Sequence, residues 1–532
     1  QLIDINDDNL GNTPYYIGRL VKGSLSVIDN VDSVDLAAGT AAVRQMNGLA
    51  PSEVQWVDGA PGPGQVQRGN PVPIDFGSGP SEQIKHVFFI LKENRTYDQV
   101  FGDVPEGNGD PRLVLFGQHT TPNHHALGRE FAMGDNFYCD AEVSITGHEW
   151  TDQANSTDFT EKLWPRNYNG NLSSLVIQFG QEGFAKNGYL FESLERQGVS
   201  FRVYGETFYF LTRFVAGMNG GGAQSLYPII LDAFGGTTAK VLAGIVNLVQ
   251  NADIPALQAA GVKLDVLRTQ VWPNMMLEYP ANILANRSDA ERAQLFLSEL
   301  QQFEQNDNLP SFIFIWLPND HTFGAAPSMP TPDSAIADND DGLGKIVDGI
   351  THSRFWPQTA IFVNEDDAQD GQDHVSAHRS LGLVISPYVK RGYISHVHQS
   401  NISMVKTAEL LLGAQPLTEY DRSATDMRDY FTSEPDLTPY AARPRQVALR
   451  ANLKPEEAPN EYLRRAGELS EHLNLSTFDE AGENLGRVLW LVHAGDELER
   501  TKTYAIVIAC LVVGALLAGG VVIGRRRLSR AS

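Results

Sequence analysis

Five short apolar runs constrain this chain most: His86–Leu91, Ser200–Tyr204, Phe312–Leu317, Ala360–Val363 and Leu381–Ile385. Each is rich in β-branched and aromatic residues and is apolar almost without interruption, so each reads as a strand buried on both faces. Between them lie stretches with helical periodicity, among them Ala290–Phe303, Ala335–Ile350 and Ile402–Leu412. Strands of this kind alternating with amphipathic helices predict an α/β fold, a largely parallel central sheet flanked by helices. Such a sheet binds ligands outside the carboxyl ends of its strands. The unit is expected over residues 85–460, with a Gly-rich insertion at about 217–271. Residues 1–84, dense in turn formers, read as a linker or capping segment. Residues 461–502 are charged and helical, with an apolar stripe through Leu485, Val488, Leu489 and Val492 that should pack on the core before the chain goes on.

A different kind of segment closes the chain. Residues 503–524 are almost wholly apolar from Tyr504 onward and are followed at once by Arg525, Arg526 and Arg527. About twenty residues at ~1.5 Å each span roughly 30 Å, the thickness of a hydrocarbon core. This predicts one C-terminal transmembrane helix, with the basic tail 525–532 in the cytoplasm and the large domain outside it. The membrane is therefore an expected partner. Nucleic acid is excluded: 41 Lys and Arg against 65 Asp and Glu leave a net charge of −24, and the only dense basic cluster is the tail. Two cysteines, Cys139 and Cys510, exclude a disulfide scaffold and thiolate zinc motifs.

The chemistry gathers at strand ends. After the first strand comes Glu93-Asn94-Arg95-Thr96-Tyr97-Asp98, after the third Asp320-His321, and after the fourth a run containing Asp366, Asp367, Asp373, His374, His378 and Arg379. Carboxylates, an amide and imidazoles converging on one rim repel unless a cation compensates them. Oxygen and imidazole donors without thiolate suit one or two divalent ions, with Ca²⁺, Mg²⁺, Mn²⁺ and Zn²⁺ all open. Asp320 and His321 are candidates for a second ion or for leaving-group contact, and His378 and Arg379 for substrate.

These motifs resemble a known family. The run Glu93–Gly102, together with PNDHT (Pro318–Thr322), ADND (Ala337–Asp340), NEDDAQDGQDHVSAHRS (Asn364–Ser380) and PDLTPY (Pro435–Tyr440), is similar to the phosphoesterase family of bacterial phospholipases C and AcpA-type acid phosphatases. That family sits within the alkaline-phosphatase-like superfamily. The nearest resemblance is to a branch in which a YncE-like β-propeller precedes the phosphoesterase domain. The resemblance implies an alkaline-phosphatase-like sandwich and metal-dependent hydrolysis of a phosphomonoester or phosphodiester. It matches Glu93 and Asn94 to the first metal-binding position, Asp366 and Asp367 to the later acidic pair, and Asp373-His374 to the family's DHV element.

Family enzymes place a Thr or Ser nucleophile at the start of a helix. Matching the glycines of Glu142–Trp150 puts Glu149 on that position, with Thr146 or Ser144 as substitutes if the loop shifts and His148 as acid or base. Attack by water is the remaining route. Two functions follow: a membrane-anchored, extracytoplasmic phosphoesterase, or a catalytically inactive phosphoesterase-fold surface protein or structural subunit of a membrane complex, with such a complex or a propeller as its partner.

Overall fold

A computed structural model describes residues 65–168, 187–206, 227–280, 287–368, 371–473 and 485–503, together with 34–46, 55–57 and residues 25, 27, 30, 183 and 185. Its centre is a seven-stranded sheet built from β1 (His86–Lys92), β2 (Ala132–Gly134), β3 (Phe201–Tyr204), β4 (Phe312–Leu317), β5 (Thr359–Glu365), β6 (Gly382–Ile385) and β7 (Tyr393–Ser395). The spatial order is β7–β2–β6–β5–β1–β4–β3. β1 pairs parallel with β4 and β5, β3 with β4, and β7 with β2; β6 alone runs against its neighbours.

The apolar runs form strands because neither face meets water. Val87, Phe88, Phe89, Ile90 and Leu91 are all fully buried. Successive side chains point to opposite faces, and the aromatic contacts show what covers each. Phe88 meets Phe296 edge to face, whereas Phe89 stacks on Phe314, which in turn meets Phe191. The helices that matter to the site are α1 (Tyr97–Phe101), α2 (Pro122–Glu130), α3 (Ser144–Gln153), α4 (Asp289–Asn306), α5 (Pro332–His352), α6 (Asn401–Leu412) and α7 (Glu461–Ser470). Phe296 belongs to α4, which packs along α5 and with it covers one face. Phe191 belongs to the helix Leu190–Arg196, which contacts α3 on the other.

The flanking regions are more integrated than composition suggests. Val72 and Ile84, inside the segment read as a linker, are buried in the main core. Within the insertion, helices Tyr227–Ala233, Thr238–Asn251 and Ile254–Ala259 contribute Ile230, Val241 and Leu257 to that core. The stripe Leu485, Val488, Leu489 and Val492 is buried against Phe116, Ile336, Ala325 and Ala466. Among the described residues no helix is long and apolar enough to cross a membrane. The expected span 503–524, apart from Thr503, lies outside the described residues, as does the tail 525–532.

Candidate metal centre

Strand register sets the site. Lys92, the last residue of β1, pairs across with Leu317 of β4 and Glu365 of β5, so the three chains leave the sheet level with one another. The residues that follow, Glu93, Pro318 and Asp366, therefore open onto one rim, the carboxyl edge where parallel sheets form their crevice. Asn94 sits at φ 65°, a left-handed turn that asparagine tolerates better than most residues. Asp366 donates its amide to the Lys92 carbonyl at 3.0 Å, and its carboxylate takes the Asp367 amide at 2.8 Å.

Helix α3 is laid over this rim. Gly147 makes that possible, since a methyl group at its position would overlap the Asp366 carbonyl. The close approach delivers two side chains. Ser144, the first residue of α3, has its hydroxyl 2.8 Å from Asp367 Oδ2 and 3.3 Å from Asn94 Oδ1. One turn on, His148 Nε2 lies 3.7 Å from Glu93 Oε1 and 3.8 Å from Asp366 Oδ2. One donor atom each from Glu93, His148 and Asp366 falls within a mutual 4.8 Å, and all three residues are buried. The Trp316 indole donates to Glu93 Oε1 at 3.1 Å, and its ring meets the His148 ring edge to face.

The electrostatics favour a cation. Burial, Asp367 and Glu93 together push the Asp366 carboxyl far above the usual carboxylate range. Burial alone would lower His148, yet Glu206, Glu93 and Asp366 outweigh it and hold the imidazole well above its ordinary value. A divalent ion would supply the positive charge that these crowded carboxylates otherwise take from protons. The donor set, carboxylate and amide oxygens plus one imidazole, fits such an ion. Cys139 is no competitor: burial pushes its thiol up, and its sulfur points at the Glu365 carbonyl at 3.6 Å.

Several expected site residues have other duties. Asp320 takes the Lys92 ammonium at 2.5 Å, the Glu93 amide at 3.0 Å and the Asn339 side chain at 3.2 Å, so it fixes the Glu93 turn from behind. The Nδ1 of His321 is 2.7 Å from the Thr322 carbonyl. Neither Asp320 nor His321 joins the Glu93–His148–Asp366 group. Thr146 donates its hydroxyl to the Val143 carbonyl at 2.9 Å, within its own helical turn. Glu149 turns to the segment after α3, where Ser156 of the loop and Thr160 of the helix Asp158–Tyr168 donate to it at 2.6 and 2.9 Å, and burial pushes its carboxyl up to about 8. Glu149, read as the nucleophile position, thus faces away from the Glu93–His148–Asp366 group, whereas Ser144 begins the helix and aims its hydroxyl at Asp367.

His374 belongs to a second group, with Asp98 and Asp373. There Arg379 donates to Asp373 and Asp98, each at 2.9 Å, and lies 4.4 Å over the Tyr97 ring. A fully buried guanidinium tied this way is a clamp between α1 and the 371–380 loop, which corrects its reading as a substrate contact. His378 is partly exposed and reaches Glu142 at 3.3 Å. Glu206, absent from the sequence reading, lies 3.0 Å from His148 Nδ1. It follows the Ser200–Tyr204 run by two residues, so the strand-end rule that picked out the other loops was signal enough to find it.

The sequence profile of the phosphoesterase family matches residues 110–413, more than half of the chain, and includes Ser144, His148, Glu206, Asp366 and Asp367. The chain belongs to the phosphoesterase family. No curated protein matches it. Solved structures similar to it include a protein of the alkaline phosphatase superfamily from Vibrio parahaemolyticus (15% identity, 87% of this chain and 97% of that one, TM-score 0.38). The PsFucS1 sulfatase from Pseudoalteromonas sp. (13%, 70% and 77%, 0.37) and the lipoteichoic acid synthase LtaP from Listeria monocytogenes (10%, 76% and 91%, 0.35) are others.

Proposed function

We propose that this protein is a metal-dependent phosphoester hydrolase in which Ser144 attacks phosphorus. The observation that carries the reading is the Ser144 hydroxyl, set at the first residue of a helix and 2.8 Å from Asp367. Glu93, Asn94, Asp366 and Asp367 would hold the divalent ion. When bound, it would bind phosphoryl oxygens and lower the pKa of the nearby hydroxyl. Ser144 gives its proton to the acidic pair as its oxygen bonds to phosphorus and the ester oxygen departs. Water then cleaves the seryl phosphate, and a proton returns to Ser144. Helix α3 presents its N-terminal amides to the phosphoryl group, where partial positive charge favours an anion.

The rival reading, a fold retained without catalysis, rests in part on Glu149 at the nucleophile position; the Ser144 hydroxyl beside Asp367 supports the hydrolase instead. We further propose that the substrate is a phosphomonoester or phosphodiester, and that the nearest kin are the phospholipase C and AcpA-type enzymes, through the branch that carries a propeller. The 504–524 segment would anchor the domain outside the cytoplasmic face of a membrane. Carbonate extraction and protease protection of the full chain test the anchor.

Activity is tested with p-nitrophenyl phosphate and bis(p-nitrophenyl) phosphate after loading with Mn²⁺, Zn²⁺, Ca²⁺ or Mg²⁺. Ser144→Ala should lower turnover by about 10³-fold or more while retaining the ion. Full activity in that variant would refute Ser144 as the nucleophile.

A further inference from the structure

We propose that Glu206 is a positioning residue that fixes the His148 ring so that its Nε2 serves as a ligand to the divalent ion. This rests on the metal-centre reading above and extends it to a fifth strand-end residue and a nitrogen donor.

The geometry is that of a carboxylate straddling one ring nitrogen. Glu206 Oε2 and Oε1 lie 3.0 and 3.2 Å from His148 Nδ1. A carboxylate only accepts hydrogen bonds, so Nδ1 carries a proton; when an ion displaces the second proton of the ring, Nε2 is the nitrogen whose lone pair is offered. Nε2 is the nitrogen that faces Glu93 and Asp366. The Trp316 ring, edge-on at 5.7 Å between centroids, restricts rotation about the other axis. Histidine ligands characteristically donate their second N–H to a carboxylate in this way.

The local fold looks built for the contact. Glu206 follows edge strand β3 after Gly205, whose φ of 87° turns the chain; a side chain at Gly205 would collide with the Tyr279 ring. Glu206 itself is fully buried. Behind it on α3, one turn beyond His148, Asp152 is buried with neither carboxyl oxygen hydrogen-bonded among the described residues, and burial next to Glu206 pushes its pKa well above the carboxylate range. An imidazole donor also changes the metal preference: it suits Zn²⁺ better than Ca²⁺, Mg²⁺ or Mn²⁺.

The test compares the full-length chain with Glu206→Gln, Glu206→Ala and Asp366→Ala, each checked for an unchanged thermal midpoint before use. Competition against a chromophoric chelator should show Zn²⁺ affinity about 10–100-fold weaker in Glu206→Gln, with the Zn²⁺ to Ca²⁺ affinity ratio reduced. A merely structural role would leave that ratio unmoved. The metal-free protein gives an independent readout. Its proton NMR spectrum should contain an exchange-protected downfield imidazole N–H that disappears in both His148→Gln and Glu206→Ala. Unchanged Zn²⁺ affinity in Glu206→Gln, alongside loss of the ion in Asp366→Ala, overturns the role of Glu206 and leaves the metal centre standing. Persistence of the downfield signal in Glu206→Ala overturns it as well. Failure of the unaltered chain to bind any of the four ions overturns the metal centre and this inference together. Should Glu206→Ala not fold, the near-isosteric Glu206→Gln carries the affinity measurement and His148→Gln the assignment of the signal.

Discussion

Two groups in this molecule share a composition, two carboxylates and one imidazole with donor atoms within 4.8 Å, yet they serve opposite ends. In Asp98–Asp373–His374 the compensating charge is covalently present: Arg379 bridges both aspartates from a fully buried position. In Glu93–His148–Asp366 the basic member of the cluster is the imidazole itself, and the carboxyl of Asp366 is driven far up by its surroundings. The lesson is that ligand-like spacing alone does not make a metal site. What separates the two is whether the protein brings its own cation. The first group is a completed clamp; the second could hold an ion.

The comparison breaks most sharply at Asp366. Asp366→Asn should cut ion affinity by at least ~100-fold and turnover by about 10³-fold, since it removes a charged donor from the second group. In a chelator at pH 8 the same variant should be more stable than the unaltered chain by about 1–2 kcal/mol, because burying a neutral amide avoids the cost of the crowded carboxyl. Elemental analysis and urea midpoints read the two effects; a variant that keeps its ion would end the assignment. Arg379→Ala is the mirror experiment. Leaving Asp98 and Asp373 buried without their partner should cost about 3–5 kcal/mol in stability, while whatever protein remains folded still binds the ion stoichiometrically. Ion loss without a fall in stability would move Arg379 out of the clamp and back toward the substrate.

Much of this was legible in the sequence. The sheet was, because β1, β4 and β5 are apolar on both faces and have no alternative burial. The rim was also legible, because register is set by those same strands and the polar residues begin where the apolar runs stop. Glu93, Asn94, Asp366 and Asp367 were placed on the rim that way. What escaped was anything decided by how one element lies on another. Ser144 depends on where α3 starts and on Gly147 allowing it against Asp366, whereas aligning glycines by pattern selected Glu149. Arg379, His374 and Asp320 carry the right chemistry for a site, but their charges are matched across the fold by Asp98 and Lys92, partners hundreds of positions away. Glu206 stands alone two residues after a short edge strand, so its position at a strand end, and no cluster around it, was the only signal in the sequence.

Glu149 offers a third solution to burying a carboxyl, after the guanidinium and the metal ion: a proton. Its oxygens are met by the Ser156 and Thr160 hydroxyls, and burial moves it from the ordinary 4.5 to about 8. Between those values the folded chain keeps the proton that the unfolded chain has released. The unfolded state then binds fewer protons, so stability falls as pH rises from about 4.5 to about 8 and is flat from this group outside that window. Glu149→Gln replaces the protonated acid with an amide of the same shape that does not titrate. Measured by urea unfolding in chelator at pH 5, 6.5 and 8, the variant should gain on the unaltered chain by about 1–3 kcal/mol across the range, less than the full shift because water and the two hydroxyls solvate the ionised form. Parallel pH profiles for the two proteins would mean that Glu149 is ionised in the fold, and a carboxylate one residue from His148 would then have to be counted among the charges of the metal centre.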